Sequence, residues 1–174
     1  MLGVRRVLIP NLTRSGCKTE EPFGLVETVA MSKDRERSLI VSDVVGGHFE
    51  NHGREAYPNE CCGALIGTDN VVQECFSLSN RTEEGPRRRF LVTPQDYRVA
   101  EGYATNSGNE LIGFYHSHPD HSARPSQYDL DHAWPVFAYV IISVEKGEPR
   151  AMTSWRLRED RSAFDETCIK RRNE

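Results

Sequence analysis

From residue 38 onward, short apolar runs alternate with clusters of Gly, Pro, Asn and Asp, the pattern of strands and helices punctuated by turns. Ser38-Leu-Ile-Val-Ser predicts a short strand, and Asp43 is placed to cap a helix reaching about Ala56, with Gly46, Gly47 and Gly53 weakening the helical tendency. Tyr57-Pro58-Asn59 reads as a turn, Cys62 to Ile66 as a buried strand, Gly67 to Asn70 as a hairpin turn and Val71 to Leu78 as the returning strand. After a polar loop, Asn80 to Pro86, Arg88 to Val92 predicts another strand. Thr93 is a natural N-cap and Pro94 a natural first residue for a helix that fades near Asn106-Ser-Gly108. Leu111 to Tyr115 predicts a central strand, and Ser126 to Trp134 a helix stopped by Pro135. Val136 to Val144 is a β-branched and aromatic strand, Gly147 to Pro149 a turn, and Arg150 to Leu157 the returning strand. Interleaved strands and helices, with hairpins, imply a mixed sheet with helices on both faces.

Residues 1–36 are polar and aperiodic and read as a loosely ordered N-terminal extension; residues 161–174 read as a charged C-terminal tail. A single domain over 37–160 remains. Met31-Ser-Lys-Asp-Arg-Glu-Arg before a strand looks like a natural beginning, with residues 1–30 dispensable.

With 174 residues the chain can build one real core. A net charge of −4 and a pI near 5.9 give no electrostatic footprint for nucleic acid. The basic cluster Arg87-Arg88-Arg89 is local, and no apolar run is long enough to span a membrane. Five cysteines, with Cys61 and Cys62 adjacent, do not form a disulfide framework and suit a reducing cytoplasm.

His116 and His118 lie near the C-terminal end of the central strand. Residues two apart on a strand share a face, so both imidazoles point the same way. Pro119 ends the run because it offers no N–H. Beyond the loop Asp120–Pro125, Ser126 opens a helix and Asp129 sits one turn in. Two His and one carboxylate leave a fourth position on zinc, the catalytic arrangement. A plainer reading stands beside it, since Ser126-Gln127-Tyr128-Asp129 is also a capping box. Asp120, His121, Asp131 and His132 are weaker ligand candidates, and Ser117 should face away from the pair in a structural role. Cys61 and Cys62 suit small apolar strand positions better than a nucleophile or second metal site. His-Glu-x-x-His and Cys-x-x-Cys are absent, which excludes helix-borne zincins and zinc deaminases.

His116-Ser117-His118-Pro119, six residues, Ser126, two residues and Asp129 resembles the signature of the JAMM (MPN-plus) zinc metallopeptidases. Glu60-Cys61-Cys62-Gly63-Ala64-Leu65-Ile66-Gly67 is similar to that family's upstream glutamate element, and the resemblance covers roughly Ser38 to Leu157. It implies a three-layer α-β-α domain with a mixed sheet. It also implies a zinc ion on His116, His118 and Asp129 that lowers the pKa of a water and polarises a carbonyl. Glu60 would then carry the proton from water to the leaving amine, and Ser126 would donate to the oxyanion. The string His116-Ser-His-Pro-Asp-His-x-Ala-Arg-Pro-Ser126 resembles the prokaryotic branch acting on ubiquitin-like sulfur-carrier proteins. There the bond after a C-terminal Gly-Gly is cut, to release cysteine or trim a tail. A deubiquitinase-like isopeptidase, a catalytically silent MPN-type interaction module and a homodimer remain open. A RadC-like branch shares His-x-His-Pro but lacks support from the acidic pI.

Overall fold

A computed structural model describes residues 38–80, Gly85, Phe90 and 92–173. The expected N-terminal extension, the start at Met31 and the cluster Arg87–Arg89 lie outside these residues. So does most of the strand expected at 88–92, of which Phe90 and Val92 are in no regular element. The elements run β1 (Ser38–Ser42), α1 (Asp43–Ala56), β2 (Cys62–Thr68), β3 (Val71–Leu78), α2 (Pro94–Asn106), β4 (Glu110–Pro119), α3 (Gln127–His132), β5 (Ala138–Glu145), β6 (Glu148–Leu157) and β7 (Phe164–Arg172). Among the described residues no helix is long and apolar enough to cross a membrane.

The three-layer α-β-α sandwich is not what forms. The strands close into a barrel in the order β1-β3-β2-β4-β5-β6-β7, with β7 pairing back onto β1 in parallel, Ile40 opposite Lys170. The closing strand lies in the charged C-terminal segment read from sequence as a tail. Asp165, Glu166, Lys170, Arg171 and Arg172 dominate β7, and of its side chains Phe164 and Ile169 pack on the cores. With so few apolar positions it shows no period-two alternation, and backbone pairing rather than side-chain burial defines it.

Closure gives the two long helices different surroundings. α1 packs against β1, β3, β4, β5 and β6, which a helix can do only from the inward side of the curved sheet. Its Val45 and Phe49 join Leu39, Val41, Leu65 and Tyr115 in the inner core. α2 packs against β2 and β4 from outside, where Ala100 and Ala104 meet Ala64, Ile66 and Phe114. Small residues on α2 let it approach the sheet closely.

Several local expectations shift by a residue or two. The cap of α1 is Ser42, whose hydroxyl accepts from Val45 N at 3.2 Å, and Asp43 is the acidic first-turn residue. Thr93 caps α2 as expected, in a full capping box with Asp96. The β5–β6 turn is Lys146-Gly147, both with positive φ (51° and 86°), which fits a two-residue hairpin loop. α3 is one and a half turns rather than a helix to Trp134, since Ala133 is already extended.

β4 is the strand that positions the site. It pairs antiparallel with β2 (Cys62 opposite His116) and parallel with β5 (His116 opposite Ile141, His118 opposite Ser143), so its backbone is held on both sides. A bulge at Ile112 resets its alternation, leaving Phe114, His116 and His118 outward and Tyr115 and Ser117 inward. A Cβ on Gly113 would stand 2.1 Å from Ala138 O, and one on Gly63 within 2.5 Å of the Tyr115 ring. Only glycine permits either approach.

Candidate metal centre

The outward face of β4 delivers the two imidazoles, and α3 brings Asp129 over them. His116 Nε2 lies 3.2 Å from Asp129 Oδ1, His118 Nε2 lies 3.6 Å from Asp129 Oδ2, and the two Nε2 atoms are 3.0 Å apart. All three side chains are buried, with exposures of 1%, 7% and 8% for His116, His118 and Asp129. Among the described residues these three form the only His/Cys/Asp/Glu group compact enough to hold one ion.

Hydrogen bonding around the group decides what it can bind. His118 Nδ1 is 2.9 Å from Ser122 O. A carbonyl only accepts, so Nδ1 carries a proton and Nε2 can offer its lone pair to the centre. That atom faces another imidazole nitrogen and a carboxylate, and atoms this close need a proton or a cation between them. His118 can carry that proton, and its bonds to Asp129 and Ser122 raise this imidazole's pKa although burial opposes the shift. Burial holds His116 below the ordinary range against the pull of Asp129. A single proton serves one acceptor, whereas a divalent ion engages all three atoms, and two nitrogens with one carboxylate are a donor set suited to zinc. The residues therefore fit a metal ion. His116 Nδ1 is buried with no hydrogen-bond partner, and Phe90 stacks on its ring with centroids 4.3 Å apart.

Asp129 is oriented by the cap it belongs to. Its Oδ2 accepts from Ser126 N at 2.6 Å and from Ser126 Oγ at 2.7 Å, while its own N–H donates to Ser126 Oγ. The capping box and the ligand group are thus one structure. Burial alone would raise this carboxyl, but donors from His116, His118 and Ser126 hold it far below the usual carboxylate range.

Glu60 reaches the same place by register. Cys62 pairs with His116, and Cys61 bonds Ser117 through Cys61 N to Ser117 Oγ (2.9 Å) and Ser117 N to Cys61 O (3.1 Å). One more step puts Glu60 opposite His118, on the same outward face. Ser117 faces inward and is structural, as its parity requires. Glu60 is 6% exposed and shares a cleft of about 380 Å³ with His118, Ser122 and Ser126. Burial pushes its carboxyl up to about 8; His118 opposes the shift and Asp129 adds to it.

The remaining candidates take other work. Asp120 holds the loop, accepting from Lys146 N at 2.9 Å and Tyr57 OH at 3.1 Å. Asp131 accepts from Gln127, His132 stacks on Tyr128, and His121 is exposed on the rim of the cleft. Burial pushes the thiols of Cys61 and Cys62 up to about 11 and about 12, so neither is a nucleophile. Sequence reasoning missed Ser122, which acts through its carbonyl and carries no side-chain signal. It also missed an apolar cavity of about 120 Å³ beside Asp129, walled by Phe90, Val92, Phe114, Tyr128 and Trp134, which only the fold assembles.

Comparison with known proteins places this geometry. The sequence profile described as prokaryotic homologs of the JAB domain matches residues 47–158. The desampylase of Haloferax volcanii is 33% identical over 100 residues, 53% of this chain and 71% of that protein. Tail tip assembly protein K of Escherichia phage N15 is 35% identical over 78 residues, 45% of this chain, which spans only 29% of that protein's length. A solution structure of a protein from Salinibacter ruber superposes with a TM-score of 0.62 at 42% identity, covering 77% of this chain and 92% of that one. With the profile matched across most of the described domain, the chain belongs to the prokaryotic JAB-domain family, the prokaryotic JAMM-type proteins.

Proposed function

We propose that this protein is a zinc-dependent peptidase that hydrolyses the bond after the C-terminal Gly-Gly of a ubiquitin-like sulfur-carrier protein. The observation that carries this reading is the convergence of His116, His118 and Asp129 beside the buried carboxyl of Glu60. Similarity to a protein named a desampylase supports a hydrolase of this family. His116, His118 and Asp129 would hold a zinc ion, which would supply Lewis acidity to the water and the scissile carbonyl.

The chain's own residues do the rest. Glu60, buried and with a raised pKa, takes a proton from water and returns it to the leaving amine. Ser126 Oγ, bonded to Asp129 and lining the same cleft as Glu60 and His118, can meet the oxyanion once released from its cap. A Gly-Gly tail suits a buried centre because its backbone approaches without Cβ interference. One observation favours a silent interaction module instead: the single proton of Ser126 Oγ is already given to Asp129.

Mass spectrometry of a ubiquitin-fold carrier ending in Gly-Gly-Cys separates the readings. Trimming to Gly-Gly by the zinc-loaded protein, absent after chelation and in Glu60→Ala, is expected. An intact carrier in the presence of one bound zinc per chain would favour the silent module.

A further inference from the structure

We propose that Arg124 binds the terminal carboxylate of the residue being released, making the enzyme selective for tails with a single residue beyond the scissile bond. This deepens the peptidase reading and rests on it. Exposed Arg124 lines the cleft that also holds Glu60, His118, Ser122 and Ser126, at its border with the neighbouring cleft formed by Gln127, Leu130 and Trp155. Its guanidinium has no ion-pair or hydrogen-bond partner among the described residues. Four other arginines of the domain are ion-paired, Arg54 with Glu148, Arg150 with Glu145, Arg158 with Asp165 and Arg171 with Glu50, while Arg98 and Arg161, like Arg124, have no ion pair among the described residues but do not line this cleft.

The base of this side chain is fixed. Asp120 ties the start of the loop to Lys146 N and Tyr57 OH. Ala123 is buried, and its carbonyl accepts from Thr153 Oγ1, which in turn accepts from Trp155 Nε1. Pro125 follows directly. A pinned loop fixes where the guanidinium starts from, so only side-chain rotamers need to order on binding.

Charge gives the unpaired cation a task. A zinc ion on His116, His118 and Asp129 would be committed to water and the scissile carbonyl, so a carboxylate brought by substrate needs a separate cation. When a single terminal residue follows the scissile bond, its α-carboxylate is separated from the reacting amide by one Cα. Arg124 stands on the same cleft and offers a planar fork that matches a carboxylate with two parallel hydrogen bonds. A lysine-linked conjugate presents no free carboxylate there. In the reaction, water adds to the glycine carbonyl and the C–N bond breaks, leaving a glycine carboxylate and a free amine on the released residue. Arg124 forms and breaks no covalent bond.

The test uses the full-length, zinc-loaded protein and a ubiquitin-fold protein ending in Gly-Gly-Cys, prepared both as the free acid and as the C-terminal amide. Wild type should show a kcat/KM roughly ten- to a hundredfold higher for the acid, the scale of a charged hydrogen-bonded pair. Arg124→Ala should bring the acid-to-amide ratio close to one, with Arg124→Lys intermediate and with zinc content and thermal midpoint unchanged in both. Equal cleavage of acid and amide by wild type, or a ratio that Arg124→Ala leaves intact, overturns the proposal. Failure of wild type to cut either form overturns the peptidase reading beneath it.

Discussion

Glu60 owes its position to a count of residues along two paired strands, and its role can be separated from that of the ligands. It shares the cleft with His118 and Ser126 but is not one of the three convergent donors. Glu60→Gln should therefore keep the fold and the bound ion while lowering kcat by about 10²–10⁴-fold, the usual contribution of a general base. Equal loss of ion and activity would make Glu60 a ligand instead. Ser126→Ala has two separable effects. Loss of the cap should cost about 1 kcal/mol in denaturant unfolding. An oxyanion role adds a kcat loss of about 10²–10³-fold, whereas a purely capping serine shows the stability change alone. Among the described cysteines, alkylation of the native protein followed by peptide mapping should modify exposed Cys168 first and leave Cys61 and Cys62 unmodified. Rapid labelling of either buried thiol would contradict the packing described for β2. At this scale the sequence was informative wherever parity decides: His116, His118 and Ser117 face as their spacing requires. It was silent where a backbone atom acts, as Ser122 O does.

At the scale of elements, close approach of strands is the controlling feature. Gly113→Ala would force Ala138 and the β4–β5 pairing apart beneath both histidines. It should cost about 3 kcal/mol, the upper end for overpacking, with activity falling in parallel. A thermal midpoint within 2 °C of wild type, at about 2–4 °C per kcal/mol, would show that the strands can give. Elements with continuous apolar runs or cap chemistry, such as β2, β5 and α2 with its Thr93 cap, were legible from sequence to within about two residues at each end. β7 was not, because its Asp, Glu, Lys and Arg residues conceal a strand whose definition is its pairing with β1 and β6. α3 was overextended because Trp134 continued the apolar pattern after the backbone had already turned at Ala133.

At the scale of the molecule, one misread segment changed the architecture. Without β7 the strands make an open sheet between helices; with it they close, α1 lies within the curve and α2 outside. Closure leaves the outward face of β4 free to carry a site, and the two clefts flanking Asp129, one polar and one apolar, lie on that face. The ion is expected to act as a ligand of the native state only. Zinc at about a hundred times its Kd should add roughly 2.7 kcal/mol, seen as a midpoint rise of about 5–10 °C. The most direct test is the zinc content of the purified full-length chain, by elemental mass spectrometry after dialysis against a weak chelator. One ion per chain is predicted for wild type and for Glu60→Gln, with almost none for Asp129→Ala or His118→Ala. An ion retained equally by all four proteins, or absent from all of them, would contradict a metal centre at His116, His118 and Asp129.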